Sequence, residues 1–235
     1  MLEKKSDKSL LIFCHTDCAL WLADTSGNTL LQQQWTLDLW RSNEEDFLRV
    51  LAQATEIRHM TENIRIVCQS EHFAFVPLAL FSPHEARYFL DFQEKTDDAA
   101  VCSNILGDRE IAAVFAVPQS LVKAMSRFAE KTEITLHLTE IMRHKHSGDS
   151  DCVRMWIAQN SFDVLVFEKN RLKFYNSFKF GKKEDIMYFM TAIFEQLSLN
   201  FQTTEIFVYN AENKKDTLDF LRKSFVVLPA QQINN

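Results

Sequence analysis

The chain contains the same succession of sequence patterns twice, and this repeat constrains the fold more than any other feature. Residues Leu10 to Gln69 and Val153 to Asn210 each run through three apolar or alternating segments separated by short polar turns, then a helical pattern and a last apolar run. Few positions are identical, but the type and order of the elements agree. A repeat of roughly 60 residues that occurs only twice is too long for a solenoid unit. The sequence therefore predicts two related halves that face one another across a cleft.

Each half is predicted to be a meander of three antiparallel strands, followed by a helix and a fourth strand. In the first half, Ser42 and Glu45 have the spacing of a capping box at the start of the helix. In the second half, Lys169-Asn170 is a tight turn, and apolar residues after Gly181 form one helical stripe. The strands are predicted at Leu10 to Phe13, Cys18 to Ala23, Thr29 to Leu37 and Ile64 to Cys68, and again at Val153 to Ala158, Phe162 to Glu168, Arg171 to Phe180 and Glu205 to Tyr209.

A segment between the two halves has no counterpart in the second half. Pro83 begins a predicted helix there, and Gly107-Asp108 is the turn of a predicted hairpin. The small and polar run from His146 to Asp151 is the best domain boundary in the chain. We therefore predict a first half over residues 1–148 with an inserted subdomain at about 77–113, and a second half over residues 149–235.

The composition is that of an ordinary globular protein, with 46% hydrophobic and 25% charged residues. No stretch approaches the ~20 apolar residues that a bilayer-spanning helix needs, so membrane insertion is not expected. A net charge of −6 argues against general nucleic-acid binding, which needs clustered Lys and Arg. The five cysteines are scattered, which favours reduced thiols, and the first residues lack an apolar signal segment. These features predict a cytoplasmic protein.

Two segments resemble a known family at the level of residues. In "VFAVPQSLVKAMSRFAEKTEITLHLTE", from Val114 to Glu140, a strand ends in proline, a helix follows, and the next strand leads into the second half. The strand pair "VLVFEKNRLKFYNSFKFG" runs from Val164 to Gly181. Both are similar to segments of PilM-like pilus-assembly and GspL-like secretion proteins, and the layout resembles an uncharacterised bacterial domain family of unknown function. The resemblance implies an α/β protein with mixed sheets, built from duplicated ribonuclease-H-like halves in the actin-like ATPase fold.

The resemblance also indicates where a nucleotide would bind. Actin-like ATPases hold the triphosphate with a glycine-containing hairpin turn in each half, because glycine lets the backbone amides approach the phosphates. The corresponding positions here are His15, Thr16 and Asp17 in the first half, and Gln159, Asn160 and Ser161 in the second. Neither turn contains glycine, and the four glycines of the chain never form a Gly-Gly pair. We therefore expect that ATP binding of the usual kind is lost and that there is no cofactor.

The sequence also contains residues that a two-metal nuclease, a metal-binding site or a cysteine hydrolase could use, and in each case the residues have a simpler explanation. The carboxylates of a two-metal nuclease would be Asp17, Glu45 or Asp46, and Glu71. Asp17 is predicted in a turn instead of the first strand, and the acidic pair suits the first turn of a helix. Cys14, His15 and Cys18 have a spacing that could chelate a metal ion. However, the chain has no second pair of cysteines, and cysteine is among the residues most commonly buried in a protein core. No nucleophile motif marks any cysteine, so we predict no catalytic residue and no metal site.

The inserted segment supplies the candidate interaction surface. It mixes aromatic and aliphatic residues with charges, as the core and rim of an interface do. The candidate residues are Leu78, Phe81, Tyr88, Phe89 and Phe92. The alternative is that these side chains only attach the inserted subdomain to the first half.

The function predicted from these observations is that of a non-catalytic module or scaffold that binds an unknown protein or a second copy of itself, and no nucleic acid. The resemblance implies the same, because such folds serve as platforms in envelope-associated machines. The alternative is an atypical nucleotide-binding phosphotransferase or ATPase. A nucleotide-induced thermal shift would distinguish the two.

Overall fold

The computed structural model describes residues 9–14, 17–23, 29–36, 39–53, 63–91, 99–128, 132–143, 151–158, 160–209 and 215–229. The chain divides into two compact units, with the boundary between Arg143 and His144. A five-stranded sheet runs through each unit, and the first unit carries an additional three-stranded sheet.

The first unit contains a mixed five-stranded sheet with the order β3-β2-β1-β4-β8. Its elements in chain order are β1 (Ser9–Cys14), β2 (Asp17–Ala23), β3 (Thr29–Thr36), α1 (Glu44–Gln53), β4 (Asn63–Cys68), β5 (Phe73–Pro77), α2 (Ala86–Asp91), β6 (Ala99–Leu106), β7 (Ile111–Pro118), α3 (Gln119–Phe128), β8 (Thr132–Leu136) and α4 (His137–Arg143). β2 pairs antiparallel with β1 and β3, whereas β4 is parallel to β1 and β8.

The second unit has a sheet with the order β11-β10-β9-β12-β13. Its elements are β9 (Cys152–Ile157), β10 (Ser161–Glu168), β11 (Arg171–Lys179), α5 (Lys183–Gln196), β12 (Glu205–Tyr209), α6 (Lys215–Leu221) and β13 (Val226–Pro229). β10 is antiparallel to β9 and β11, and β12 is parallel to β9 and β13. Counted from its own first strand, each sheet therefore has the order third, second, first, fourth, fifth.

The core of the second unit lies between its sheet and its two helices. Alternate residues of β9 point into this core, as period-two alternation requires, and the stripe of α5 packs against them. The residues that these two elements contribute to the core are Val153, Met155, Ile157, Ile186, Met190, Ile193 and Phe194. Phe189 and Leu197 of the same predicted stripe are partly buried at its edge. Tyr188 lies off the stripe and is 70% exposed.

The capping box of α1 lies one residue further along the chain than the sequence predicts. The helix begins at Glu44, so Asn43, not Ser42, is the residue before its first turn. The Asp46 N–H donates to Asn43 Oδ1 at 3.0 Å, and the Asn43 N–H donates to Asp46 Oδ2 at 3.1 Å. The Ser42 carbonyl instead accepts a hydrogen bond from the Ser120 hydroxyl of α3 at 3.1 Å. This bond attaches the residue before the cap of α1 to α3, and α1 and α3 pack against one another.

The three-stranded sheet has the order β5-β7-β6 and is antiparallel throughout. Its strand β5 is not among the strands predicted from the sequence. Pro77 ends the strand without interrupting it, and β5 is an edge strand, where proline is tolerated. One face of the sheet packs with α2 in an apolar cluster of Val76, Ala86, Leu90, Ala99, Val114 and Ala116.

One buried side chain joins this sheet to the five-stranded sheet of the first unit. Asn104 of β6 is 6% exposed. Its Nδ2 donates to the Ile134 carbonyl at 3.0 Å, and its Oδ1 accepts the Leu136 N–H at 2.9 Å. The amide therefore bonds to β8 through one donor and one acceptor, as a neighbouring strand would.

Candidate functional site

The turn between β9 and β10 is a short hairpin with its backbone bonded inside the sheet. Ile157 pairs with Phe162, and the Ala158 N–H donates to the Ser161 carbonyl at 2.8 Å. Only positions 159 and 160 lie between these residues, and Gln159 is outside the described residues. The Asn160 carbonyl accepts the Phe180 N–H at 3.0 Å, which attaches the turn to the end of β11. A cradle for phosphates needs several consecutive outward-pointing amides, and a turn of this length offers few.

The corresponding turn of the first unit connects β1 to β2. Cys14 pairs with Cys18 across the hairpin. Asp17 is the first residue of β2 and pairs with Thr36 of β3. His15 and Thr16, the other two predicted turn positions, lie outside the described residues.

The candidate interaction residues differ in exposure, because α2 turns two faces in different directions. Ala86 and Leu90, four residues apart, are buried against the three-stranded sheet, and Tyr88 between them is 67% exposed. Phe81 and Phe89 are partly buried and pack on the same apolar cluster. The structure thus places Tyr88 at the surface and the two phenylalanines against the cluster.

The remaining candidates and their exposed neighbours complete this region. Leu78 is half-buried in a short 3₁₀ turn, and its N–H donates to the Glu110 carbonyl at 2.8 Å. Phe92 lies outside the described residues. Leu80 is 68% exposed and Ile105 is 55% exposed. Ile105 was missed by the sequence analysis, although it alternates with the buried residues Asn104 and Leu106 along β6.

The second unit contains a buried polar group that the sequence analysis also missed. Arg154 and Asp163 are 1% and 3% exposed, and the Tyr175 hydroxyl donates to Asp163 Oδ1 at 3.0 Å. Burial, together with the adjacent carboxylate, raises the pKa of Tyr175 above its ordinary value. The Arg154 guanidinium lies 4.5 Å from the centre of the Phe167 ring. The available signal was a charged residue inside each of two otherwise apolar strands.

The carboxylates proposed for a nuclease have other roles in the structure where their side chains are described. Asp46 belongs to the capping box and forms an ion pair with Arg49. Glu45 and Glu71 are exposed. The part of the chain that the structure describes contains no group of three or more His, Cys, Asp or Glu side chains placed to hold a metal ion.

A comparison with protein families decides the membership of the chain. The model of a family described as "Protein of unknown function (DUF3822)" matches residues 2–225. The chain belongs to the DUF3822 family. This confirms the resemblance to an uncharacterised family. A comparison of the DUF3822 chain with curated proteins gives no match.

Solved structures show the fold of the DUF3822 chain. A Bacteroides thetaiotaomicron protein with an actin-like ATPase fold and unknown function is similar to it with a TM-score of 0.77 and 18% identity, over 98% of this chain and 94% of that one. A chain of the PilM-PilN type IV pilus biogenesis complex has a TM-score of 0.59 and 9% identity, over 96% and 88%. The ethanolamine utilization protein EutJ from Carboxydothermus hydrogenoformans has a TM-score of 0.51 and 9% identity, over 94% and 84%. The predicted α/β, actin-like ATPase fold is therefore confirmed.

The helices give one further observation. Among those that the structure describes, none combines the length and the apolar character needed to cross a bilayer.

Proposed function

We propose that this protein is a non-catalytic binding module or scaffold that has lost the nucleotide site of the actin-like ATPase fold. The observation that carries the proposal is the closed hairpin between β9 and β10. Its Ala158 N–H and Asn160 carbonyl are bonded within the sheet, and neither Asn160 nor Ser161 is a glycine. A side chain at such a tip occupies the space into which a phosphate must come, and the bonded backbone cannot reorient without breaking the hairpin.

Two further proposals concern the organisation and the location of the chain. We propose that the two halves, 1–148 and 149–235, arose by duplication and that about 77–113 is an insertion. The common strand order of the two five-stranded sheets supports this. We place the protein in the cytoplasm, because the thiols of Cys68 and Cys102 are free and free thiols suit a reducing compartment.

The partner is proposed to be another protein or a second copy of this chain. Tyr88 and Leu80 expose large apolar side chains on the inserted segment, and exposed aromatic residues are typical anchors of protein interfaces. A chain of similar fold occurs in the PilM-PilN complex, which supports a role in protein binding for this fold.

A melting experiment with ATP and Mg²⁺ tests the loss of the nucleotide site. A ligand at 100 times its dissociation constant raises the unfolding free energy by about 2.7 kcal/mol, which a melting curve detects easily. We expect no shift with ATP at up to about millimolar concentration. A clear shift at micromolar ATP would refute the proposal and favour the alternative, an atypical ATPase or phosphotransferase.

A further inference from the structure

The strand β11 is the outer strand of the second unit's sheet, and no strand of the described residues pairs with its other side. The Phe180 N–H donates to the Asn160 carbonyl, so the even-numbered residues from Phe174 to Phe180 direct their backbone groups towards β10. The backbone groups of Ser177 and Lys179 therefore point away from the sheet. The Ser177 N–H is bonded to Oδ1 of the neighbouring Asn176 at 2.9 Å. A strand edge of this kind can accept a further strand by backbone hydrogen bonding.

The same edge concentrates positive charge in a chain whose net charge is −6. Between positions 169 and 183 there are six basic residues and no acidic residue: Lys169, Arg171, Lys173, Lys179, Lys182 and Lys183. All six are exposed. Lys173 pairs with Glu168 at 3.2 Å. Lys169, Arg171 and Lys179 form no ion pair with any of the described residues, so their charges are available to a partner.

The basic character is not a requirement of the fold. The strand β3 has the same position at the edge of the first unit's sheet as β11 has in the second. Its sequence, TLLQQQWT, contains no charged residue. β11 itself carries Arg171, Lys173 and Lys179. Lysine at an edge also protects a sheet against unwanted pairing, and the binding experiment below distinguishes that role from recognition of a partner.

Aromatic side chains adjoin the strand. Phe178 of β11 stacks on Phe189 of α5 with ring centres 4.5 Å apart. Tyr188 contacts the same Phe189 ring edge to face at 5.4 Å and remains 70% exposed. An apolar side chain of a docked segment could contact the exposed Tyr188 ring, which lies beside the cationic strand.

We propose that β11 binds an extended, acidic segment of a partner protein, which joins the sheet as an additional strand. The inference rests on the proposed function only in treating the chain as a binding module, and it concerns a surface separate from the inserted segment. The backbone groups of Ser177 and Lys179 form the ladder, and Arg171 and Lys179 attract the acidic side chains. A single-stranded nucleic acid fits less well, because Phe174 and Phe178 pack towards the core instead of presenting their faces to bases.

The charge part of the proposal is tested with a fluorescent peptide of alternating Glu and Val, read by anisotropy at low salt. We expect the double variant Arg171→Glu/Lys179→Glu to weaken binding by at least about tenfold, because like charges then face each other. The matched control is Lys123→Glu/Lys215→Glu, which changes the charge equally at exposed positions on α3 and α6. The dissociation constant of the control for the peptide should lie within about twofold of that of the parent. Raised salt should weaken peptide binding by both the parent and the control.

The backbone part is tested with Ser177→Pro, which removes an outward N–H and leaves the bonds to β10 in place. We expect a melting temperature near that of the parent and a loss of peptide binding. If this variant does not fold, Asn176→Ala is the substitute, because it releases the Ser177 N–H and should strengthen binding.

Several outcomes would overturn the inference. They are failure of the parent to bind the peptide below about millimolar concentration, equal binding of a Lys-Val peptide, equal binding by the double variant, or tighter binding of oligo-dT or of phosphatidylglycerol vesicles at the same salt. If the peptide fails while the parent self-associates in sedimentation and Tyr88→Ala abolishes that association, this inference is wrong and the proposed function stands.

Discussion

A single amide, that of Asn104, joins the two sheets of the first unit by two hydrogen bonds. Replacing Asn104 by Ala leaves the Ile134 carbonyl and the Leu136 N–H without their partner in a buried site. We expect a loss of at least ~2 kcal/mol of unfolding free energy, measured by denaturant titration. The neighbouring exposed Ser103→Ala is the control and should change stability by less than about 0.5 kcal/mol. Equal stability of the two variants would mean that the Asn104 bonds contribute nothing.

Tyr175 gives a prediction on pH dependence. Burial and the Asp163 carboxylate raise its pKa above the ordinary 10.0 in the folded state. The unfolded chain therefore releases this proton at a lower pH than the folded chain, and stability falls as the pH rises above about 10. Ultraviolet titration should find that the signal of Tyr175 stays that of the protonated side chain at a pH where exposed tyrosines ionise. Tyr175→Phe should remove that signal and the associated loss of stability; an unchanged titration would contradict the prediction.

At the scale of one element, the two faces of α2 separate binding from stability. Tyr88 is exposed, whereas Phe89 packs on the apolar cluster of the three-stranded sheet. Tyr88→Ala should weaken association with a partner or a second copy at a nearly unchanged melting temperature. Phe89→Ala should lower the unfolding free energy by roughly 2 kcal/mol, less than the full cost of a completely buried Phe. Sedimentation and melting of both variants check this, and a large loss of stability in Tyr88→Ala would contradict an interface role.

Elements with a strong local pattern could be predicted from the sequence. The stripe of α5 and the Lys169-Asn170 turn are both present, and the turn has positive φ at both residues, 49° and 65°. Elements whose ends depend on tertiary contacts, or on which of two adjacent residues forms a cap, could not be predicted from the sequence. Asn43 replaces Ser42 as the cap because tertiary contacts fix where α1 begins, and β5 was hidden by a proline that only ends it.

The candidate site was less predictable than the fold. Aromatic residues in the inserted segment look alike in sequence, and only the packing of α2 distinguishes Tyr88 from Phe89. The buried Arg154 and Asp163 are visible in sequence only as single charged residues among the apolar residues of two strands, and that signal alone does not show which group each of them contacts. The basic residues of β11 were visible in sequence, but their place on an open edge required the strand order.

At the scale of the whole molecule, two separately packed units predict two groups of protected amides. β7 is buried from Ala112 to Pro118, and β9 is buried along its whole length. Hydrogen exchange should be slowest in these strands. Phe194→Ala, in the core of the second unit, should cost about 3 to 5 kcal/mol and speed exchange in β9, β10 and β12. Tyr188→Ala in the same helix is the control. Equal acceleration in β7 would contradict independent cores.

Under the proposed function, the closed hairpin between β9 and β10 also bears on how long a complex of this protein would last. An ATPase of this architecture can end an interaction on schedule, because hydrolysis makes release irreversible. A chain whose hairpin excludes the triphosphate cannot control release by hydrolysis. Under the proposed function, the fraction of this protein that is bound depends only on the concentration of the partner and on the dissociation rate of the complex. Dilution or a competing ligand, and not nucleotide hydrolysis, then separates the two proteins.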